Sequence, residues 1–174
     1  LYAASLRTSA SRVRPAVLAG MLRHGLADFA DAHADLLLEP ETESLAQKLG
    51  LLARWYPGQA DAIVSSVGSI QNPAVRCRAV VEVAPLLPEA AVPAALVLAR
   101  DLPDPGLRAR ALAALAAAAP AAPVGREIGN EALGALRAAD DPELEVATLA
   151  ALQPLATGDV LQALARGQVE AAWR

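Results

Sequence analysis

The sequence predicts an all-α fold, an α-solenoid of stacked antiparallel helical hairpins with about 8–9 helices. Three observations predict it. First, an acidic or amide residue followed by proline recurs at Asn72-Pro73, Asp104-Pro105 and Asp141-Pro142, separated by 32 and then 37 residues. Second, apolar side chains recur at fixed offsets from that proline: Val75, Leu107 and Leu144 two residues on, Val80, Leu112 and Leu149 seven on, and Val83, Leu115 and Leu152 ten on. Ile70, Leu102 and Ala139 lie three before it. These spacings suit an amphipathic helix on each side of a turn and do not suit the alternation of a strand. Third, the chain is 55% hydrophobic but only 3% aromatic. Ala, Leu and Val therefore build the apolar faces, favour helix and let helices approach closely.

The turn chemistry agrees with this unit. Asn or Asp caps the first amides of the following helix, and proline suits its first position, where no intrahelical donor is needed. The second helix of the first two units ends again in proline, at Pro88 and Pro120. A fainter copy ends at Pro57, with Leu49, Leu52 and Ala53 at the matching sites. One hairpin cannot bury its own apolar face; a row of them shares a continuous core.

In chain order, residues 1–40 form an N-terminal helical segment, a cap or junction, and residues 41–174 form the array. Residues 12–38 read as helix, with Pro15 in its first turn. Leu18, Leu22, Leu26, Phe29, His33 and Leu36 or Leu37 share one face, and Gly20 and Gly25 mark places where it breaks or packs closely. Another face carries His24, Asp28, Asp31 and Asp35 in one row. That row reads either as a solvated acidic face or as a divalent-cation site, and the first reading is preferred because no second ligand set is visible. His33, among apolar neighbours, reads as a satisfied core or interface histidine.

Helix from about 41 to 56 follows. Trp55 and Tyr56, adjacent aromatics in an aromatic-poor chain, are either staples between hairpins or anchors for a partner. Ala60, Ile63, Val64, Val67 and Ile70 make a clean stripe, backed by the small Ser65, Ser66, Gly68 and Ser69. Helices 74–87, 91–102 and 105–119 complete the central units. The interval 121–131 breaks register and carries Gly125 and Gly129, which marks a bend or a binding loop. Helices 142–156 and 159–173, the last capped by Asp159, finish the chain.

These units resemble the HEAT- or TPR-type helical repeats of bacterial signal-transduction ATPases of the STAND class (NACHT and related proteins). Those repeats read roughly as apolar–x–Asp, then Arg-Ala-x-Ala-Leu, then Leu-Ala-x-x-Leu-Pro. Asp104, Arg108, Ala109, Ala111, Leu112, Leu115, Ala116 and Pro120 match it, as do Arg76, Ala79, Val83, Ala84, Pro85, Leu87 and Pro88. The third unit departs, with Glu145 for the arginine and Thr157 for the final proline. The resemblance covers residues 45–157. It implies a right-handed superhelix serving as a sensor or regulatory arm, with nucleotide chemistry elsewhere in a larger cytoplasmic bacterial protein. A start at Leu1 rather than Met fits a segment of such a polypeptide.

Arginines follow the repeat. Arg76 and Arg108 lie three residues after the turn proline, Arg78 and Arg110 five after it. These positions are about 200° apart on a helix and cannot form one patch. Arg76 and Arg108 read as links between hairpins, with Asp104 a nearby acceptor. Arg78 and Arg110 read as a face for an acidic partner.

Composition narrows the function. A net charge of −4 argues against general nucleic-acid binding, which needs a basic stripe. Lys48 is the one lysine against fourteen arginines, a bias typical of GC-rich bacterial genomes. The lone Cys77 excludes an internal disulfide and reads as a small buried apolar site. No stretch is long and apolar enough for a membrane span. No phosphate loop, HExxH, CxxC or GxSxG is present, and no catalytic residue, cofactor or metal is expected. The sequence therefore predicts a non-catalytic module that binds a protein or other domains of its own polypeptide. An architectural or oligomerisation arm is the alternative, and a HEAT-type nucleic-acid reader comes third.

Overall fold

The computed structural model describes residues 13–119, 123–139 and 148–152, and they are helical with no strand. Eight α-helices are defined among them: α1 (Pro15–Arg23), α2 (Phe29–Leu36), α3 (Glu43–Trp55), α4 (Ala60–Ser69), α5 (Pro73–Val83), α6 (Val92–Arg100), α7 (Pro105–Ala118) and α8 (Pro123–Ala139). Short 3-10 turns at Pro57–Gln59, Ala84–Leu86 and Glu89–Ala91 join some of them. Residues 148–152 are helical as well. The Asp141-Pro142 turn, Glu145, Thr157, the 159–173 helix and residues 1–10 lie outside the described residues.

The Asx-Pro turns act as the sequence requires. Asn72 Oδ1 accepts from the backbone amides of Ala74 and Val75 at 3.0 and 3.3 Å, and Asp104 Oδ1 accepts from Leu107 at 2.8 Å. Each side chain satisfies first-turn donors that the helix itself leaves unbonded. Pro73 and Pro105 occupy the first helical positions.

The repeated apolar positions are the core. Ile70 and Leu102, Val80 and Leu112, and Val83 and Leu115 are all buried, as are Leu149 and Leu152. Leu49, Leu52 and Ala53 of the fainter copy are buried too, and so is the whole Ala60, Ile63, Val64, Val67, Ile70 stripe of α4. Helices that follow the turns contact one another in series: α3 with α5, α5 with α7. Between them α4 contacts α3, α5 and α6, and α6 contacts α5 and α7. The most extensive contact joins α7 to α8. Gly68 of α4 has no room to spare, since a Cβ there would stand 3.2 Å from Leu98 Cδ2 of α6.

One sequence alternative is decided and one expectation is corrected. The described part of the 12–38 segment is two helices, the break that Gly20 and Gly25 left open. Gly25 adopts φ +63° and closes α1: its amide donates to Leu22 O at 3.2 Å while that of Leu26 donates to Met21 O at 2.9 Å. This left-handed C-terminal motif is one that glycine adopts at no steric cost. The chain turns there, so Leu26 leaves the core face and is 68% exposed; Leu37 is exposed too, while Leu18, Leu22 and Leu36 stay buried.

The correction concerns 121–131, read as an irregular interval marking a bend or a binding loop. From Pro123 onward it is helix, the start of α8, which at 17 residues is the longest among those described. The reason is contact rather than propensity. A Cβ on Gly125 would fall 2.0 Å from Ala119 O, so only glycine lets α8 begin so close to the end of α7. Ile128, Ala132 and Leu136 then bury the inner face of α8.

If the turn caps hold the units as described, Asp104→Ala costs about 1 kcal/mol of unfolding free energy and Asp104→Asn a few tenths at most. Urea denaturation of both variants checks this; equal losses would show that the cap contributes nothing.

Candidate interaction surface

The arginines at the two repeat offsets do different work. Arg76, with its side chain only 14% exposed, donates from Nη1 to Asp101 Oδ2 at 3.0 Å. The bond runs from α5 to the residue that closes α6, a link between successive units. Among the described residues Arg108 reaches only its own turn, donating from Nη2 to Pro103 O at 3.4 Å. Asp104, expected as an acceptor for such an arginine, is engaged as the cap of α7. The Nε atoms of Arg76 and Arg108 are both buried without a hydrogen-bond partner, a feature the two equivalent sites share although their outer nitrogens bond differently.

Arg78 and Arg110 lie toward solvent on α5 and α7. Arg78 donates from Nε to Glu82 Oε1 at 3.0 Å, and its Nη2 stands 3.4 Å from Glu43 Oε1 of α3. One guanidinium thus bridges two acids, and its charge is locally answered. Arg110 is exposed and has no ion pair among the described residues. Both arginines act through their charge on the buried thiol of Cys77. Burial pushes that thiol up, and the two arginines only partly offset it. Its Sγ donates to Leu107 O at 3.2 Å, so it is a packed core group and not a reactive one.

The two aromatics also separate. Tyr56 is half-buried, donates its hydroxyl to Ala27 O at 2.9 Å and meets Phe29 edge-on at 5.5 Å. It staples α3 to the start of α2. Trp55 is 43% exposed at the end of α3. Of the four residues proposed for partner contact, Arg110 and Trp55 are therefore uncommitted, Arg78 is shared, and Tyr56 is structural.

The His24–Asp28–Asp31–Asp35 row does not survive as a row. His24 ends α1, and Asp28 caps α2 by accepting from the Asp31 amide at 2.8 Å. Among the described residues no group of three or more His, Cys, Asp or Glu side chains is placed to hold a metal ion. His33 stacks on Phe29 with ring centroids 4.9 Å apart, and its Nε2 lies 2.6 Å from Ser66 Oγ of α4.

Sequence reading missed three polar links. Lys48, the single lysine, is buried in α3 and ion-paired with Glu39; both side chains are 3% exposed. Glu41 accepts from the backbone amides of Gln71 and Asn72, at 2.7 and 2.5 Å. Those two bonds, ahead of a smaller contribution from Arg76, hold its carboxyl below the usual glutamate range. Arg100 donates to both carboxylate oxygens of Glu131, with the Nε bond at 2.8 Å, which raises the arginine and lowers the acid. The last two links join residues 30 or 31 apart, the span of one unit, which is a signal the sequence did contain.

No protein-family model, curated protein or solved structure matches the chain. Among the described residues, no helix is long and apolar enough to cross a membrane.

Two outcomes test these assignments. Arg108→Ala lowers the melting temperature more than Arg110→Ala, because one side chain packs within the fold and the other does not; equal or reversed shifts in a thermal melt contradict this. Lys48→Met alone costs about 3–5 kcal/mol by stranding a buried carboxylate, whereas Lys48→Met with Glu39→Leu is near neutral. A urea-denaturation mutant cycle separates the two.

Proposed function

We propose that the chain is a non-catalytic protein-interaction module, a right-handed α-solenoid of HEAT/TPR-like hairpins. It serves as the sensor or regulatory arm of a larger cytoplasmic bacterial signalling protein of STAND type. The observation that carries the proposal is the serial contact of α3, α5 and α7, with α4 and α6 between them. An array of this kind offers its partner a long surface rather than one deep pocket. The recurring Asx-Pro caps and the links one unit apart support the same reading. The signalling parent rests on the repeat resemblance alone.

Among the described residues Arg110 is an exposed charge with no ion pair, and Trp55 is an exposed aromatic. A partner presenting a carboxylate would use Arg110 on α7, and one presenting an apolar anchor would use Trp55 on α3, since aromatic and arginine side chains concentrate binding energy. Charge at such a site governs encounter and choice of partner more than affinity.

The test is retention of a distinct protein on immobilised chain, compared with Arg110→Glu at matched circular dichroism. One specific protein held by the wild type and about tenfold depleted on the variant supports the module. Concentration-dependent self-association in sedimentation, with nothing else retained, assigns an architectural arm instead.

A further inference from the structure

A second site lies away from Arg110, where α2, α3 and α4 meet. A cleft of about 140 Å³ opens there, close to the volume of a cavity known to admit benzene. Its apolar wall is made by Leu36, Leu45, Leu49 and Ile70, all buried, with the exposed Leu37 beside them. Its polar wall is made by Glu39, Glu41, Ser66 and Ser69.

The hydrogen inventory of that polar wall is one-sided. Ser66 has one hydroxyl proton, and its two partners, Ala62 O at 3.1 Å and His33 Nε2 at 2.6 Å, leave none over. Ser69 spends its proton on Ser66 O at 2.7 Å. Ionised carboxylates only accept. Glu41 uses one lone pair on each oxygen for the Gln71 and Asn72 amides and keeps others. Every side-chain group left on the wall can accept, and none can donate. The charges point the same way. Glu39 is answered by an ion pair with Lys48, whereas Glu41 has no ion pair among the described residues: Arg76 acts on it only through a smaller Coulombic contribution and pairs with Asp101.

We infer that this cleft binds an aliphatic chain tipped with a donor-only cation, an ammonium or guanidinium, its carbons against the leucines and its head at Glu41. Lysine, arginine and simple alkylamines have this chemistry: a flexible apolar stem and a head that donates without needing to accept. A lysine or arginine side chain of a polypeptide and a free amine are the two sources.

Amide NMR on the intact chain tests the inference, because Gln71 and Asn72 report directly on Glu41. Titration with n-butylammonium shifts those two amides saturably, and butan-1-ol binds about tenfold more weakly. Glu41→Gln keeps an acceptor for the turn and removes the charge, and it weakens butylammonium about tenfold. If the variant loosens the turn, the ammonium–alcohol comparison in the wild type still decides. Nα-acetyl-lysine N-methylamide binding as well as butylammonium assigns a polypeptide side chain as the source; butylammonium binding alone assigns a free amine. No saturable shift with any probe, or an alcohol that binds as well as the ammonium, overturns the inference. Neither result bears on Arg110, which lies on α7.

Discussion

The position of α5 between α3 and α7 is the constraint on which the rest depends. Its own apolar residues are few and modest in size: Cys77, Ala79, Val80 and Val83 are the ones it buries. An 11-residue helix of this composition has little stability alone. Two flanking helices let it bury residues around much of its circumference, and its small side chains allow both to come close. The same holds for α7, which buries Ala109, Ala111 and Ala113 as well as Leu112, Leu115 and Ala116. Alanine on several faces of one helix makes sense only when neighbours stand on several sides.

Polar chemistry then sets where each unit sits relative to the next. A helix packed through alanines has few shape features to fix its register, because small side chains leave shallow ridges. The directional bonds supply what packing leaves open. Glu41 grips the turn before α5, Arg76 grips the residue that closes α6, and Arg100 grips α8. The exposed ones add little stability individually. The buried Lys48–Glu39 pair is different in kind, since each charge would be costly without the other. It fixes the approach to α3 and, with Tyr56 and His33, ties α2 to the helices that follow.

Features written in adjacent residues are legible in the sequence itself. Asn72-Pro73 and Asp104-Pro105 announce their helices because cap and first-turn amides lie within three residues. The buried positions follow because the 3.6-residue period alone selects them. What stays hidden depends on residues that sequence does not bring together. Gly25 stands in a stretch whose apolar spacing continues past it, so the sequence offers a break and a close contact alike, and only the positive φ decides for the break. Gly125 reads as poor helix chemistry, and the carbonyl of Ala119 that demands it becomes visible only once α7 and α8 touch. Asp104 has two roles open to it by position, and capping takes it. Lys48 stands out for its rarity, while its meaning lies nine residues away in Glu39.

A serial core of this kind passes stability from neighbour to neighbour, and residue-resolved hydrogen exchange measures that most directly. With Leu112→Ala in α7, stepwise packing predicts the largest loss of protection in α7, α5 and α8, a smaller one in α3, and little in α1 and α2. Equal loss of protection along the whole chain, or loss confined to α7, would contradict it.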